Sequence, residues 1–229
     1  MSLYAIGDLH LCLGADKPMD VFGGRWEGYM DKLREGLSII SPEDTTVLLG
    51  DLSWALNIEQ ADRDFAFIHS IPGRKIILKG NHDYWWTTAA KFYKFCAERE
   101  WDDMFILNNN CYFYGETALC GTRGWFYEQD QEGTHDEKIF RRELGRLETS
   151  LKAAGEHEKL CFLHYPPRYR GYECPEILAL LAQYGVKQCF YGHLHAESMR
   201  LAIQGSVDGC EFRLLSADYV NFRPQKLMD

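Results

Sequence analysis

Lys75-Ile76-Ile77-Leu78-Lys79-Gly80-Asn81-His82-Asp83 is the stretch on which the reading of this chain turns. The apolar run 75–78 is too short and too continuous for an amphipathic helix, and it reads as a strand buried on both faces. A glycine follows, then three side chains able to bind, orient or move a proton. The same order recurs four times. The run 2–6 leads into Gly7-Asp8-Leu9-His10, and 46–49 leads into Gly50-Asp51. The run 159–163 stops at His164, and 187–191 leads into Gly192-His193-Leu194-His195. Five strands therefore end in Asp, Asn or His, four of them through a glycine that lets the backbone turn tightly and a ligand approach closely. In open α/β sheets ligands bind outside the carboxyl ends of the strands, so these side chains are expected to converge.

Between the runs lie segments of helical period. Trp26, Tyr29, Met30, Leu33, Leu37 and Ile40 share a face until Ser41-Pro42 stops the pattern. Phe140, Leu144, Leu147 and Leu151 form a second stripe. A helix is expected over 176–184 with Gly185 just past its end, and weaker helical patterns cover 59–70 and 87–99. A strand pair around Gly115-Glu116 spans 112–121, and 201–204 with 211–215 reads as a hairpin through 205–209. The order mixes β–α–β crossovers with hairpins, without linker or repeat, and one domain over 1–229 is expected.

The 229 residues are 46% hydrophobic and 26% charged, with a net charge of −9. A surface of that sign opposes polyanions, so neither a nucleic-acid polymer nor a membrane is an expected partner. No membrane-length apolar stretch and no basic, apolar leader is evident, and a cytoplasmic location is expected. The eight cysteines contain no C-x-x-C pair, and several sit in apolar runs, which points to buried, reduced thiols.

Asp8, His10, Asp51, Asn81, His164, His193 and His195 offer oxygen and imidazole nitrogen and no thiolate. That donor set suits Mn, Fe or Zn in a hydrolytic centre. Seven ligands exceed one tetrahedral ion and suit two ions sharing a carboxylate. The Asp8/His10 and His193/His195 spacings put each pair on one side of an extended segment. A phosphate-binding G-x-x-x-x-G-K-[ST] loop, an H-E-x-x-H helix and a G-x-S-x-G elbow are all missing.

The ordered set Asp8-x-His10, Gly50-Asp51, Gly80-Asn81-His82-Asp83, His164 and Gly192-His193-x-His195 resembles the calcineurin-like metallophosphoesterase superfamily. The resemblance implies a four-layer αββα sandwich of two mixed β-sheets flanked by helices. It implies two divalent ions, or an Fe3+/M2+ pair, hydrolysing a phosphoester through a bridging hydroxide. Asp8, His10 and His195 would hold one ion, Asn81, His164 and His193 the other, and Asp51 would bridge them. His82 would stand beside the metals, with Asp83 hydrogen-bonded to it as orienter. One departure stands out: the family's G-D-x-x-D-R is here Gly50-Asp51-Leu52-Ser53-Trp54-Ala55, with Trp54 and Ala55 in place of Asp and Arg.

On this reading the partner is a small phosphomonoester or phosphodiester, and His82, protonated near neutral pH, gives a proton to the leaving oxygen. Arg123, Trp85, Tyr165 and Arg168 are candidate substrate contacts, and Trp86, Trp125, Phe126 and Tyr127 crowd the same loops. The alternative is a protein-interaction scaffold on the same fold, which would need neither His82 nor a complete ligand set.

Overall fold

The computed structural model describes residues 1–125 and 134–229, with no description of the side chains of 134–136. In chain order the first half runs β1 (Leu3–Ile6), α1 (Tyr29–Leu37), β2 (Thr45–Leu48), α2 (Asp62–Ser70), β3 (Arg74–Ile77), α3 (Ala89–Ala97) and β4 (Met104–Ile106). The second half runs β5 (Cys111–Tyr114), β6 (Thr117–Thr122), α4 (Thr134–Ala153), β7 (Glu158–Leu163), β8 (Arg168–Tyr169), β9 (Tyr172–Glu173), α5 (Pro175–Gln183), β10 (Gln188–Tyr191), β11 (Gly205–Val207), β12 (Cys210–Leu214) and β13 (Gln225–Met228).

Two mixed sheets result. In the first, of order β13-β1-β2-β3-β4, only β13 runs antiparallel to its neighbour. In the second, of order β11-β12-β10-β7-β6-β5, parallel pairs lie inside antiparallel edges. The continuous apolar runs follow from burial on both faces of each strand. On β2 and β3 and the residue after each, Val47, Leu49, Ile76 and Leu78 meet Leu160, Phe162 and Phe190 of the second sheet, forming the core between the sheets. Their neighbours Leu48 and Ile77 turn the other way onto Leu33 and Leu37 of α1, Phe65 and Ile68 of α2 and Phe92 of α3. On the second sheet's outer face, Cys161, Leu163, Cys189 and Tyr191 pack on Phe140, Leu147 and Leu151 of α4 and Ile177 and Leu181 of α5. Three apolar seams separate four layers, helix–sheet–sheet–helix.

The five expected strands form within one residue of their bounds. After α5, the Val186 amide donates to the Leu181 carbonyl and the Gly185 amide to Ala182, with Gly185 at φ 67°, so the helix ends in a Schellman motif. The hairpin is displaced from its expected place. Its turn is Asp208-Gly209, both in the left-handed region as a type I′ turn requires, and its first strand is β11 rather than 201–204, which lies in and after a 3-10 turn, Ala196–Leu201. The first helix is also shorter than its apolar stripe: Trp26 lies in a 3-10 turn, and Gly28, left-handed at φ 63°, separates that turn from α1. The cysteines are free thiols, six of the eight buried. Among the described residues no helix is long and apolar enough to cross a membrane.

Candidate metal centre

The carboxyl ends of β1, β2, β3, β7 and β10 meet where the two sheets touch. The sheets are stitched there by backbone: the Gly7 amide donates to the Leu215 carbonyl and the Ala217 amide to Gly7. Within the first sheet the Asp8 amide donates to Gly50 and that of His10 to Asp51, so consecutive strand ends register on one another. The glycines are small because carboxylates occupy the space beside them. A Cβ on Gly80 would lie 2.1 Å from Asp51 Oδ1, and one on Gly192 would lie 2.6 Å from Asp8 Oδ2. Asp8, His10, Asp51 and His193 themselves take positive φ, between 47° and 69°. Each such non-glycine residue costs of order 1 kcal/mol, offset by the packing that holds it.

All seven side chains singled out by the strand ends come together. Asp8, His10 and His195 form one group of potential ligand atoms within 4.8 Å of one another, and Asp51, His164 and His193 form a second. Asp51 stands between the groups, with Oδ2 3.9 Å from His10 Nε2 and Oδ1 3.6 Å from His164 Nε2. The Asn81 side-chain oxygen lies 2.7 Å from His164 Nε2 and 3.0 Å from His193 Nδ1. His164 donates from Nδ1 to the Leu49 carbonyl at 2.9 Å, which leaves its Nε2 lone pair facing Asn81.

The electrostatics have one sign of strain throughout. Burial pushes the Asp8 carboxyl up to about 8, and burial with Asp83 and Asp8 nearby drives Asp51 well above the usual carboxylate range. Burial, with repulsion from neighbouring rings, holds His10 and His164 well below their ordinary value and His193 at about 3. The imidazoles are thus kept neutral, the form that ligates, while the carboxylates lack a counter-charge. His10 Nε2 and Asp51 Oδ2 are buried without a hydrogen-bond partner. Such orphaned groups are costly in a protein interior, and a cation among them satisfies every one. The residues present fit a pair of metal ions with oxygen and nitrogen ligands.

Several expectations for the neighbouring residues need correcting. Asp83 does not orient His82. Its Oδ2 accepts from the amides of Gly80 (2.7 Å) and Asp51 (2.8 Å), and its Oδ1 accepts from Leu52 and Ser53 amides and from the Trp85 indole (2.8 Å). It is the knot that ties the β2 and β3 loops together, a role the adjacency of His82 and Asp83 in sequence concealed. Trp85 cannot touch a substrate: it is 1% exposed and packs edge-on against Phe65 in the first helical layer. Arg168 is held away from the centre by Glu173 and Asp208. His82 is held at about 4 by burial, by Lys17 and by His195, so its ring is neutral at pH 7 rather than protonated. Arg123 is tied to the β7 end by its backbone and to Glu143 by its side chain. Its carbonyl accepts from the amides of His164 and Tyr165 while its guanidinium donates to Glu143. Tyr165 stays at the rim, its ring 4.6 Å from that of His193. Phe126 and Tyr127 lie outside the described residues.

Three residues that sequence reasoning did not assign also shape the centre. Trp54 stacks on His10 with ring centroids 4.9 Å apart and lies 4.5 Å from His82, while Lys17 sets its Nζ 3.3 Å over the Trp54 ring. Buried Asp218 accepts from the Ala196 amide and exerts its charge on His195. Asp218 lies four residues past β12, behind Leu215-Ser216-Ala217 and without a glycine, so the strand-end signature did not mark it.

A model of the calcineurin-like phosphoesterase family matches residues 1–197. In fold the chain is similar to phosphopantetheinyl hydrolase (PptH) from Mycobacterium tuberculosis, with a TM-score of 0.60 at 13% identity, covering 99% of this chain and 95% of that one. It is similar to the protein of unknown function AQ665 from Aquifex aeolicus (0.51, 16%, 98% and 95%). A third likeness is to TT1561 of Thermus thermophilus (0.52, 11%, 99% and 97%). No curated protein sequence matches the chain.

Proposed function

The chain belongs to the calcineurin-like phosphoesterase family, and from that premise we propose that it is a metal-dependent phosphohydrolase acting on a small phosphomonoester or phosphodiester. Asp8, His10 and His195 would hold one ion, Asn81, His164 and His193 the second, and Asp51 would be shared. When bound, two such cations lower the pKa of a water and stabilise charge on the attacking and leaving oxygens of an in-line displacement.

The chain's own part is preorganisation and proton transfer. The Leu49 carbonyl fixes the His164 ring, and the His193 amide, 3.0 Å from Asp8 Oδ2, fixes the Asp8 carboxylate. The His82 amide does the same for Asp51 Oδ1 at 2.7 Å, so the loop that carries the proton donor is indexed to the shared ligand. His82 rests neutral. An arriving phosphoester brings negative charge beside its ring, which favours the protonated form and readies it to donate to the leaving oxygen.

The observation that carries this reading is the pair His10 Nε2 and Asp51 Oδ2, both buried, both without partner and 3.9 Å apart. The test is to strip the protein of metal, restore Mn, Fe or Zn separately, and assay an aryl phosphate and a bis-aryl phosphate. Metal-dependent hydrolysis of either supports the proposal and names the ester class. No hydrolysis of either by protein carrying two metal equivalents overturns it.

A further inference from the structure

A cavity of 450 Å³ opens onto the candidate centre, reaching His10, His82 and His195. Its apolar walls, Met19, Phe22, Trp26 and Trp54, come from the loops after β1 and β2, and the segment after β10 adds Ala196, Glu197 and Ser198. Two of these rings already contact the ligand set. Trp54 stacks on His10, and Trp26 meets His10 and His195 edge-on at 5.6 and 6.2 Å. Phe22 is 64% exposed, an apolar ring left in water at the cavity mouth. Among the described residues the one charged side chain in the lining is Glu197, an anion. Lys17, above the Trp54 ring, makes no ion pair among the described residues and supplies a single positive charge at that wall.

Resting on the phosphoesterase reading, we propose that this cavity receives the leaving group of the substrate, and that the leaving group is a flat, uncharged aromatic alcohol. With Trp54 covered by His10 and Lys17, it is the exposed Phe22 ring and the edges of the tryptophans that meet an occupant. An aromatic occupant adds edge-to-face contact to the benefit of removing apolar surface from water. One ammonium suffices to face the scissile phosphoryl group. A leaving group bearing further phosphates would instead meet the Glu197 carboxylate, on which Arg200 is already paired at 3.2 Å. Trp54 is the specificity residue of the set, since it joins the cavity wall to the His10 ring.

Three phosphomonoesters of primary alcohols hold leaving-group basicity nearly constant: 2-naphthylmethyl, n-octyl and methyl phosphate. With metal-loaded protein, kcat/KM for the naphthylmethyl ester is expected to exceed both others at least about tenfold. Trp54→Ala and, separately, Phe22→Ala should each shrink that ratio toward unity. Phe22→Ala removes an exposed ring and keeps the test independent of folding. A ratio near one in the unaltered protein, or preference for the octyl ester, overturns the proposal. Calorimetric binding of 2-naphthylmethylphosphonate and methylphosphonate supplies a readout without turnover. If neither these esters nor a bis-aryl phosphate is hydrolysed, the phosphoesterase reading fails by itself. A tenfold affinity difference between the phosphonates then still supports an aromatic site, and equal affinities overturn it.

Discussion

The two ends of the first sheet treat buried charge in opposite ways. At the amino end of β3, Lys75 is 0% exposed, yet its ammonium donates to the carbonyls of Ile71 (2.6 Å) and Gly73 (2.9 Å) and to the Asp103 carboxylate. Desolvation lowers its affinity for the proton and Asp103 raises it again, so the charge is balanced inside the fold. At the carboxyl end, Asp8 and Asp51 are equally buried, but among the described residues no lysine or arginine pairs with either. The difference teaches where the fold is self-sufficient. One end closes its own electrostatics; the other has the donor geometry and the charge deficit of a site completed by cations.

The comparison breaks most sharply at the shared carboxylate. Asp51→Asn removes the charge that both candidate ligand groups would share. Metal affinity is expected to fall at least about a hundredfold for both ions, with metal analysis reading under one equivalent per chain. Retention of two equivalents would sink the shared-ligand assignment. Chelating the metal from the unaltered protein should lower Tm by roughly 10 °C, the loss of about 4 kcal/mol that saturating ligand confers on a domain of this size.

His82→Ala comes next: turnover is expected to drop about 10²–10⁴-fold with both metal equivalents retained. Loss of metal in that variant would turn His82 from proton donor into ligand. At the self-sufficient end, Asp103→Asn should cost about 2 kcal/mol in denaturant unfolding, because the buried ammonium loses its carboxylate, with metal content unchanged. A smaller effect is expected from Trp85→Phe. The Asp83 knot loses one donor, worth about 1 kcal/mol, and the substrate preference of kcat/KM stays as it was. An altered preference would return Trp85 to the substrate-binding side.

The candidate ligand set was legible in the sequence because a strand end is a local event. A continuous apolar run, a glycine and a polar side chain specify where the chain turns and what it presents there. Elements lacking that signature escaped. β4 is three residues long, and β13 is a half-polar edge strand paired to one neighbour, so neither carries enough apolar pattern to be read. The neighbours of the ligands were misread for a different reason. Adjacent residues in a tight loop point apart, so His82 faces the centre while Asp83 turns inward onto five donors. An aromatic residue beside a polar motif fits rim and core equally well in sequence. Burial decided Trp85 for the core and Trp54 for the wall beside His10.

Sequence alone determined the alternation of buried strands and amphipathic helices, the kinds of donor atom at each strand end, and through them the family, because hydrophobic period and residue chemistry are properties of short segments. The tertiary structure alone decided that Asp51 stands between two groups of histidines, that Asp83 binds backbone rather than His82, and that Lys17 and Trp54 meet beside the centre. Those outcomes depend on contacts between segments as much as 185 residues apart, such as the His193 amide on the Asp8 carboxylate, and chain separation of that kind is resolved only when two sheets pack face to face.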